Sequence, residues 1–221
     1  MAVRRGVLTT GAIVGQGIAL ADAAGLEAVS MRAIADRLGA GVMSLYRHVP
    51  NKERLVELMV DQVMEHYAYP DRAGRTWREN LTTLAEYDWA MYLEHPWVLV
   101  ATATSRPPVG PNTLRAMEWA YAGIAELGLP PESATGVILA VVSHVQAVAL
   151  LATAERRHSA ESGLDPVHWW RQRLREIGGD RHPALDAVLA GHIEGDPEQW
   201  LRFDLELLLD GVERLAERHR R

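Results

Sequence analysis

SMRAIADRLGAGVMSLYRHVPNK, residues 30–52, reads as two short helices joined by a tight, glycine-flanked turn. Ser30 is a good N-cap, because its hydroxyl can accept from a backbone N–H of the first turn. Met31, Ile34, Ala35 and Leu38 follow at i, i+3, i+4 and i+7, which is one buried stripe. Arg32, Asp36 and Arg37 fall on other faces. Gly39 stands where a residue with positive φ commonly ends a helix. Ala40 and Gly41 make the turn, and a second helix is predicted over 42–49 with Val42, Leu45 and Val49 inward. Pro50 stops it, since the proline ring disfavours helical backbone in the residue before it. Asn51 can then cap a further helix from Lys52. Two helices joined by a few residues with glycine is the helix-turn-helix pattern.

Ser44, Tyr46, Arg47 and His48 point away from the inner face of that second helix. They can donate to phosphates or base edges, and the Tyr46 ring can pack on sugar or a thymine methyl. An ordinary helical hairpin is the bland alternative; the polar cluster on so small a helix, with cations at both flanks, argues against it. The charge distribution agrees. The chain of 221 residues has a net charge of −6, yet residues 1–52 hold six cations against three acids, +3, so the remainder carries −9. A basic head on an acidic body suits a DNA-binding module with a separate regulatory domain. Phosphate contacts supply most of the affinity, so so few cations per head imply that two heads bind together. Arg4 and Arg5 precede the first helix, either as a disordered tip or as a minor contact to phosphate or minor groove.

The ordered run Ala24-Gly25-Leu26, Ser30, Arg32, Ile34-Ala35, Leu38-Gly39 and Leu45-Tyr46-Arg47-His48-Val49-Pro50-Asn51-Lys52 resembles the head of TetR-type transcriptional repressors, over roughly residues 8–66. The remainder resembles the tetracycline-repressor kind of C-terminal domain less tightly, through Trp77, the Ser105-Arg106-Pro107 turn, the Thr113-Leu114 helix start and two long late helices. The resemblance implies an all-α fold: an N-terminal three-helix head at residues 1–52, a linking helix to about residue 68, and a helical effector-binding and dimerisation domain at 69–221. It implies a homodimer on a palindromic DNA operator, with repression relieved by a small effector. The expected DNA contacts are Arg32, Val42, Met43, Ser44, Tyr46, Arg47, His48 and Lys52. Arg47 is the candidate for guanine, whose O6/N7 pair its fork matches; it replaces the aromatic found there in tetracycline repressors. In those repressors histidines near the end of helix four and on the short sixth helix help hold drug and magnesium. The matching places here are Ala68 and Thr102, and the neighbouring asparagine and phenylalanine positions are Leu84 and Asp88. The metal-drug chemistry is therefore not expected, and no cofactor or metal is.

Outside residues 30–52, one helix is expected over 10–24, with Ile13, Gly17, Leu20 and Ala24 on one face. Another runs from Lys52 to about Tyr67, with Leu55, Leu58/Met59, Val63 and His66 inward. Residues 70–75 make a polar hinge. Helices follow over 77–95, broken by Pro96, then 98–104 and 112–127, the last closed by Gly128. From Ala134 to Ala154 there is no charged residue, long enough to span a bilayer. Ser143, His144 and Gln146 lie mid-run without flanking basic clusters or aromatic belts, so a buried central helix is the reading and no membrane span is expected. Helices near 133–154 and 197–218 from two subunits would make a four-helix interface. Residues 155–195 read as a polar linker, a helix from Pro166 and another near 184–192.

His158, His168, His182 and His192 are too irregularly spaced for a metal cluster. Sites between bundle helices are apolar with a few polar groups. The candidates for such an effector site are His66, Trp89, Tyr92, Thr102, Met117, Tyr121, His144 and Gln146, a set suited to an aromatic, mostly apolar molecule. Catalysis finds no support: there is no repeated Glu-x-x-His pair, no nucleophile elbow and no glycine-rich phosphate loop. The alternatives are a helical small-molecule-binding or interaction protein without DNA binding and, behind it, an all-α enzyme. The chain has no cysteine, so no disulfide framework is possible. MAVRRGVLTTG lacks an apolar signal core, and a cytoplasmic location is expected.

Overall fold

The computed structural model describes residues 8–163, 166–177 and 197–220, and every regular element among them is helical. Arg4, Arg5, His182, His192 and the helix expected near 184–192 lie outside the described residues. The head comprises α1 (Thr10–Ala24), a 3-10 turn (Leu26–Ala28), α2 (Met31–Leu38) and α3 (Val42–Tyr46). Next come α4 (Lys52–His66), α5 (Trp77–Glu94), α6 (Pro96–Thr102), α7 (Pro111–Gly123), a 3-10 turn (Ala125–Leu127), α8 (Pro131–Ser162), α9 (Pro166–Ile177) and α10 (Pro197–His219).

The head's boundaries are set by caps. Ser30 Oγ accepts from Ala33 N at 3.1 Å, and Asn51 Oδ1 accepts from Arg54 N at 2.7 Å. Gly39 has φ 59° and ψ 33°, a left-handed conformation that costs a side-chain-bearing residue about 1–2 kcal/mol. Ile13, Val29, Ile34, Leu45, Val49, Leu55 and Met59 are fully buried and hold α1 to α4 as one body.

Several boundaries differ from expectation. The helix expected over 42–49 ends at Tyr46. Arg47 and His48 form a turn in which His48 N and Val49 N both donate to Leu45 O at 2.9 Å, because Val49 must leave helical backbone before Pro50. Ala24 is exposed at the end of α1, not buried with Ile13 and Leu20. His66 is likewise exposed, and the inner row of α4 is Leu55, Met59, Val60 and Val63. Pro96 ends α5 and also opens α6 as its first residue, where its missing N–H costs nothing. The helix expected over 112–127 stops at Gly123 and is completed by the 3-10 turn. Residues 155–162 continue α8 instead of forming a linker, and Gly163 at φ 68° ends it.

In the body, α8 packs on α5 and α10. By length and composition α8 could cross a membrane. Its Val137, Val141, Val145, Val148, Ala149 and Ala152 row is nevertheless buried, as in the central helix of a bundle. Arg78 on α5 reaches Glu206 and Asp210 of α10, both at 2.7 Å.

Candidate functional site

Two places carry chemistry. The first is the outer face of α3. Leu45 and Val49 are fully buried and, with Val42 packed partly against the same core, pin this five-residue helix to the head, leaving Met43 and Tyr46 exposed. Met43 is 77 % exposed and Tyr46 44 %. Arg32, Arg47, His48 and Lys52 are exposed, while Val42 and Ser44 are half-buried. The Arg47 guanidinium donates to Ser44 Oγ at 3.2 Å, which orients it along the helix while leaving other donors unengaged. Lys52 Nζ donates to Leu26 O at 3.4 Å, tying α4's first residue to the turn after α1. None of the eight residues expected to contact DNA is buried.

The second place is a cavity of about 710 Å³ bounded by α4, α5, α6, α7, α8, the α4–α5 connection and the 103–108 loop. Tyr92, Thr102, Met117, Tyr121 and Gln146 line it, as do Val60, Met64 and Tyr69. Gln146 Nε2 donates to Tyr92 Oη at 3.2 Å and to Thr102 Oγ1 at 3.4 Å. Burial, with the Asp88 carboxylate nearby, pushes the Tyr92 hydroxyl well above its ordinary range. Three expected members do not line the cavity. His66 is exposed, its ring edge-on to Tyr67 at 5.4 Å. Trp89 is buried elsewhere in the core, and His144 Nε2 lies 3.9 Å from Asp204 of α10.

Sequence reasoning gave no role to two wall residues, Asp88 and Tyr69. Tyr69 Oη donates to Asp88 Oδ1 at 2.7 Å, and the Tyr69 ring stacks on Trp119 with centroids 4.5 Å apart. Burial pushes the Asp88 carboxyl up to about 6, against the opposing effect of the Tyr69 hydrogen bond. Its signal in the sequence was an acid in the inner row of α5, between Leu84 and Met91/Tyr92.

One helix, α4, runs from the head to the cavity. It starts at the Asn51 cap, a few residues after the end of α3 in the chain, packs on α1 of the head, and supplies Val60 and Met64 to the cavity wall. On the same helix, Asp61 Oδ1 accepts from Asn112 N at 2.8 Å, and Asn112 Nδ2 donates to Asp61 Oδ2 at 2.9 Å, which fastens α4 to the start of α7. Gly110 permits this approach, since a Cβ there would fall 2.2 Å from Asp61 Oδ1. A further tie joins α1 to the α5–α6 corner. Asp22 Oδ1 lies 2.7 Å from His95 Nδ1 and accepts from Trp97 Nε1 at 2.7 Å.

Comparison with known proteins agrees with this architecture. Residues 13–59 match the model of bacterial regulatory proteins of the tetR family, and residues 69–216 match the tetracyclin repressor-like C-terminal domain. The chain is 33 % identical to the HTH-type transcriptional repressor DrrR1 of Streptomyces coeruleorubidus, over 96 % of this chain and 80 % of that one. It is 32 % identical to an HTH-type transcriptional regulator of Saccharopolyspora erythraea, over 88 % and 78 %. Among solved structures, ActR of Streptomyces coelicolor in complex with actinorhodin superposes with TM-score 0.81 at 27 % identity, covering 96 % of this chain and 99 % of ActR. ActR has also been solved with (S)-DNPA, with TM-score 0.77 at 26 % identity, covering 96 % and 100 %. The outward recognition helix, the helical body and these two matched regions together place the chain in the TetR family of ligand-responsive, DNA-binding transcriptional regulators.

Proposed function

We propose that the protein is a homodimeric repressor that grips a palindromic operator and is released by a small hydrophobic, aromatic effector. Helix α3 of each subunit enters successive major grooves about one helical turn apart. Arg47 reads a guanine edge; Arg32, Ser44, His48 and Lys52 contact phosphates; Val42, Met43 and Tyr46 pack on sugar and thymine methyl groups. The subunits pair through α8 and α10. Leu150 and Leu151 on α8, and the stripe Trp200, Phe203 and Leu207 on α10, are large apolar side chains exposed in the single chain. Apolar exposure on that scale marks an interaction surface.

The observation that carries the mechanism is the continuity of α4, which runs from the recognition helix into the cavity wall. An effector wedged against Val60 and Met64 displaces α4, and α3 with it. Tyr92, Thr102, Met117, Tyr121 and Gln146 are the contacts that hold it. A change in the spacing of two rigidly paired heads need supply only about 1–3 kcal/mol of coupling to shift operator occupancy markedly. DNA binding and a soluble, compact body fit a cytoplasmic location.

Gel retardation on the DNA upstream of its own gene, with salt titrated, tests the proposal. A discrete complex whose affinity falls steeply with salt is expected, because each phosphate contact releases a counterion. No complex, or one indifferent to salt, would favour a helical binding protein without DNA.

A further inference from the structure

Among the described residues that line the cavity, Asp88 is the only one with a formal charge. It is 7 % exposed. One oxygen accepts from Tyr69 Oη at 2.7 Å, and among the described residues no other donor and no cation reaches the carboxyl group. An ionised carboxylate in such a place is expensive unless a partner arrives. An apolar or amide side chain would fill the same position without that cost. Around it the wall offers three tyrosines, Tyr69, Tyr92 and Tyr121, whose ring faces favour a cation. The rest of the lining is apolar or neutral, including Met64, Met91, Met117 and Val142.

Building on the reading of this cavity as the effector site, we propose that Asp88 pairs with a protonated nitrogen on the effector, which is therefore a ring-bearing, mostly apolar amine. The amine enters the cavity, its N–H groups donate to the carboxylate oxygen that Tyr69 leaves unoccupied, and its rings fill the space toward Met117. Tyr69, stacked on Trp119, occupies one carboxylate oxygen of Asp88 and leaves the other to the amine. An acidic molecule of the same shape is repelled, and a neutral one forfeits the ion pair.

Three tricyclic probes that differ in charge test this: 9-aminoacridine as the cation, acridone as the neutral form and acridine-9-carboxylate as the anion. Each is titrated against the full-length protein by fluorescence. The wild type should bind the cation about tenfold or more tightly than acridone, the worth of one charge-assisted hydrogen bond, with the anion weakest. In Asp88→Asn the preference should collapse to within about threefold, while acridone affinity stays near wild type. Tyr69→Phe, which retains the carboxylate, should keep most of the preference and so separates a charge effect from a collapsed cavity. The preference should also fade as pH drops through about 6, where Asp88 takes up a proton. The groups facing Asp88 are the Tyr69 and Tyr92 hydroxyls, both raised by burial and neutral throughout that range, and none of the lining residues of α4, α6, α7 and α8 is charged. A wild type that does not favour the cation, whether it binds all three probes alike or none, overturns the assignment, as does an Asp88→Asn variant that keeps the preference. Retardation of upstream DNA by the wild type without any probe reads the regulator proposal separately.

Discussion

The recognition face and the effector cavity hold their polar groups in opposite ways. On and after α3 the working side chains are exposed or half-buried and nearly unengaged, with Arg47 bonded only to Ser44, and order comes from the buried Leu45 and Val49 beneath. In the cavity several polar groups are buried or half-buried and bonded to one another, as in Tyr69–Asp88 and Gln146 with Tyr92 and Thr102. The first arrangement suits a partner that brings its own charge and water. The second sets selectivity in advance, since each buried group lacking a partner penalises the wrong ligand. The difference teaches that one chain stores DNA recognition as surface chemistry on a rigid base and effector recognition as a preformed interior.

If that contrast holds, the largest effect belongs to the base under the surface chemistry. Leu45→Ala should cost about 2–5 kcal/mol of stability. Chemical denaturation would show it, with DNA binding lost in parallel, although Leu45 touches no DNA. Next is Arg47→Ala, which should cost about 1–3 kcal/mol and relax preference at one base position while leaving the melting temperature unchanged. Binding to a library of operator variants distinguishes this from uniform weakening, which would make Arg47 a phosphate contact.

The interior should respond to pH. Asp88 holds its proton more tightly folded than unfolded, with a folded value of about 6 against 3.8. The native state therefore binds more protons in that window, and stability falls as pH rises through it. Asp88→Asn removes this loss. Above pH 6 the variant should exceed the wild type by on the order of 2 kcal/mol, and the two should converge toward pH 4, as followed by thermal melts across pH. A variant no more stable at pH 8 would mean that Asp88 is well solvated. The smallest expected effect is at the joint between the regions. Asn51→Ala removes the cap of α4 and should cost about 1 kcal/mol, with a modest loss of operator affinity.

The head was legible in the sequence because its signals are local. Ser30, Gly39, Pro50 and Asn51 each act within four residues, and a hydroxyl, a left-handed glycine or a proline ring imposes its conformation wherever the chain goes. Even there, the end of α3 was misplaced by three residues, because Pro50 already affects Val49 and the preceding turn. The cavity was less legible because it is assembled from side chains between residues 60 and 146 on five helices and two connections. Residue type alone could not say which aromatic or imidazole faces it. His66 lies past the last buried turn of α4, and His144 is turned toward α10 although Gln146, two residues on, is in the wall. Asp88 entered the sequence reading only as a departure from the tetracycline repressors' drug site, since the cost of burying its charge is evident only once the surrounding helices are in place.

The central claim is that α3 faces DNA from a twofold-paired molecule. Footprinting of the wild-type protein on the DNA upstream of its own gene tests it most directly. The account predicts a symmetric protected stretch with two half-sites centred about one helical turn apart, approximately 34–36 Å. A single asymmetric half-site, or no protection at any salt concentration, would contradict it.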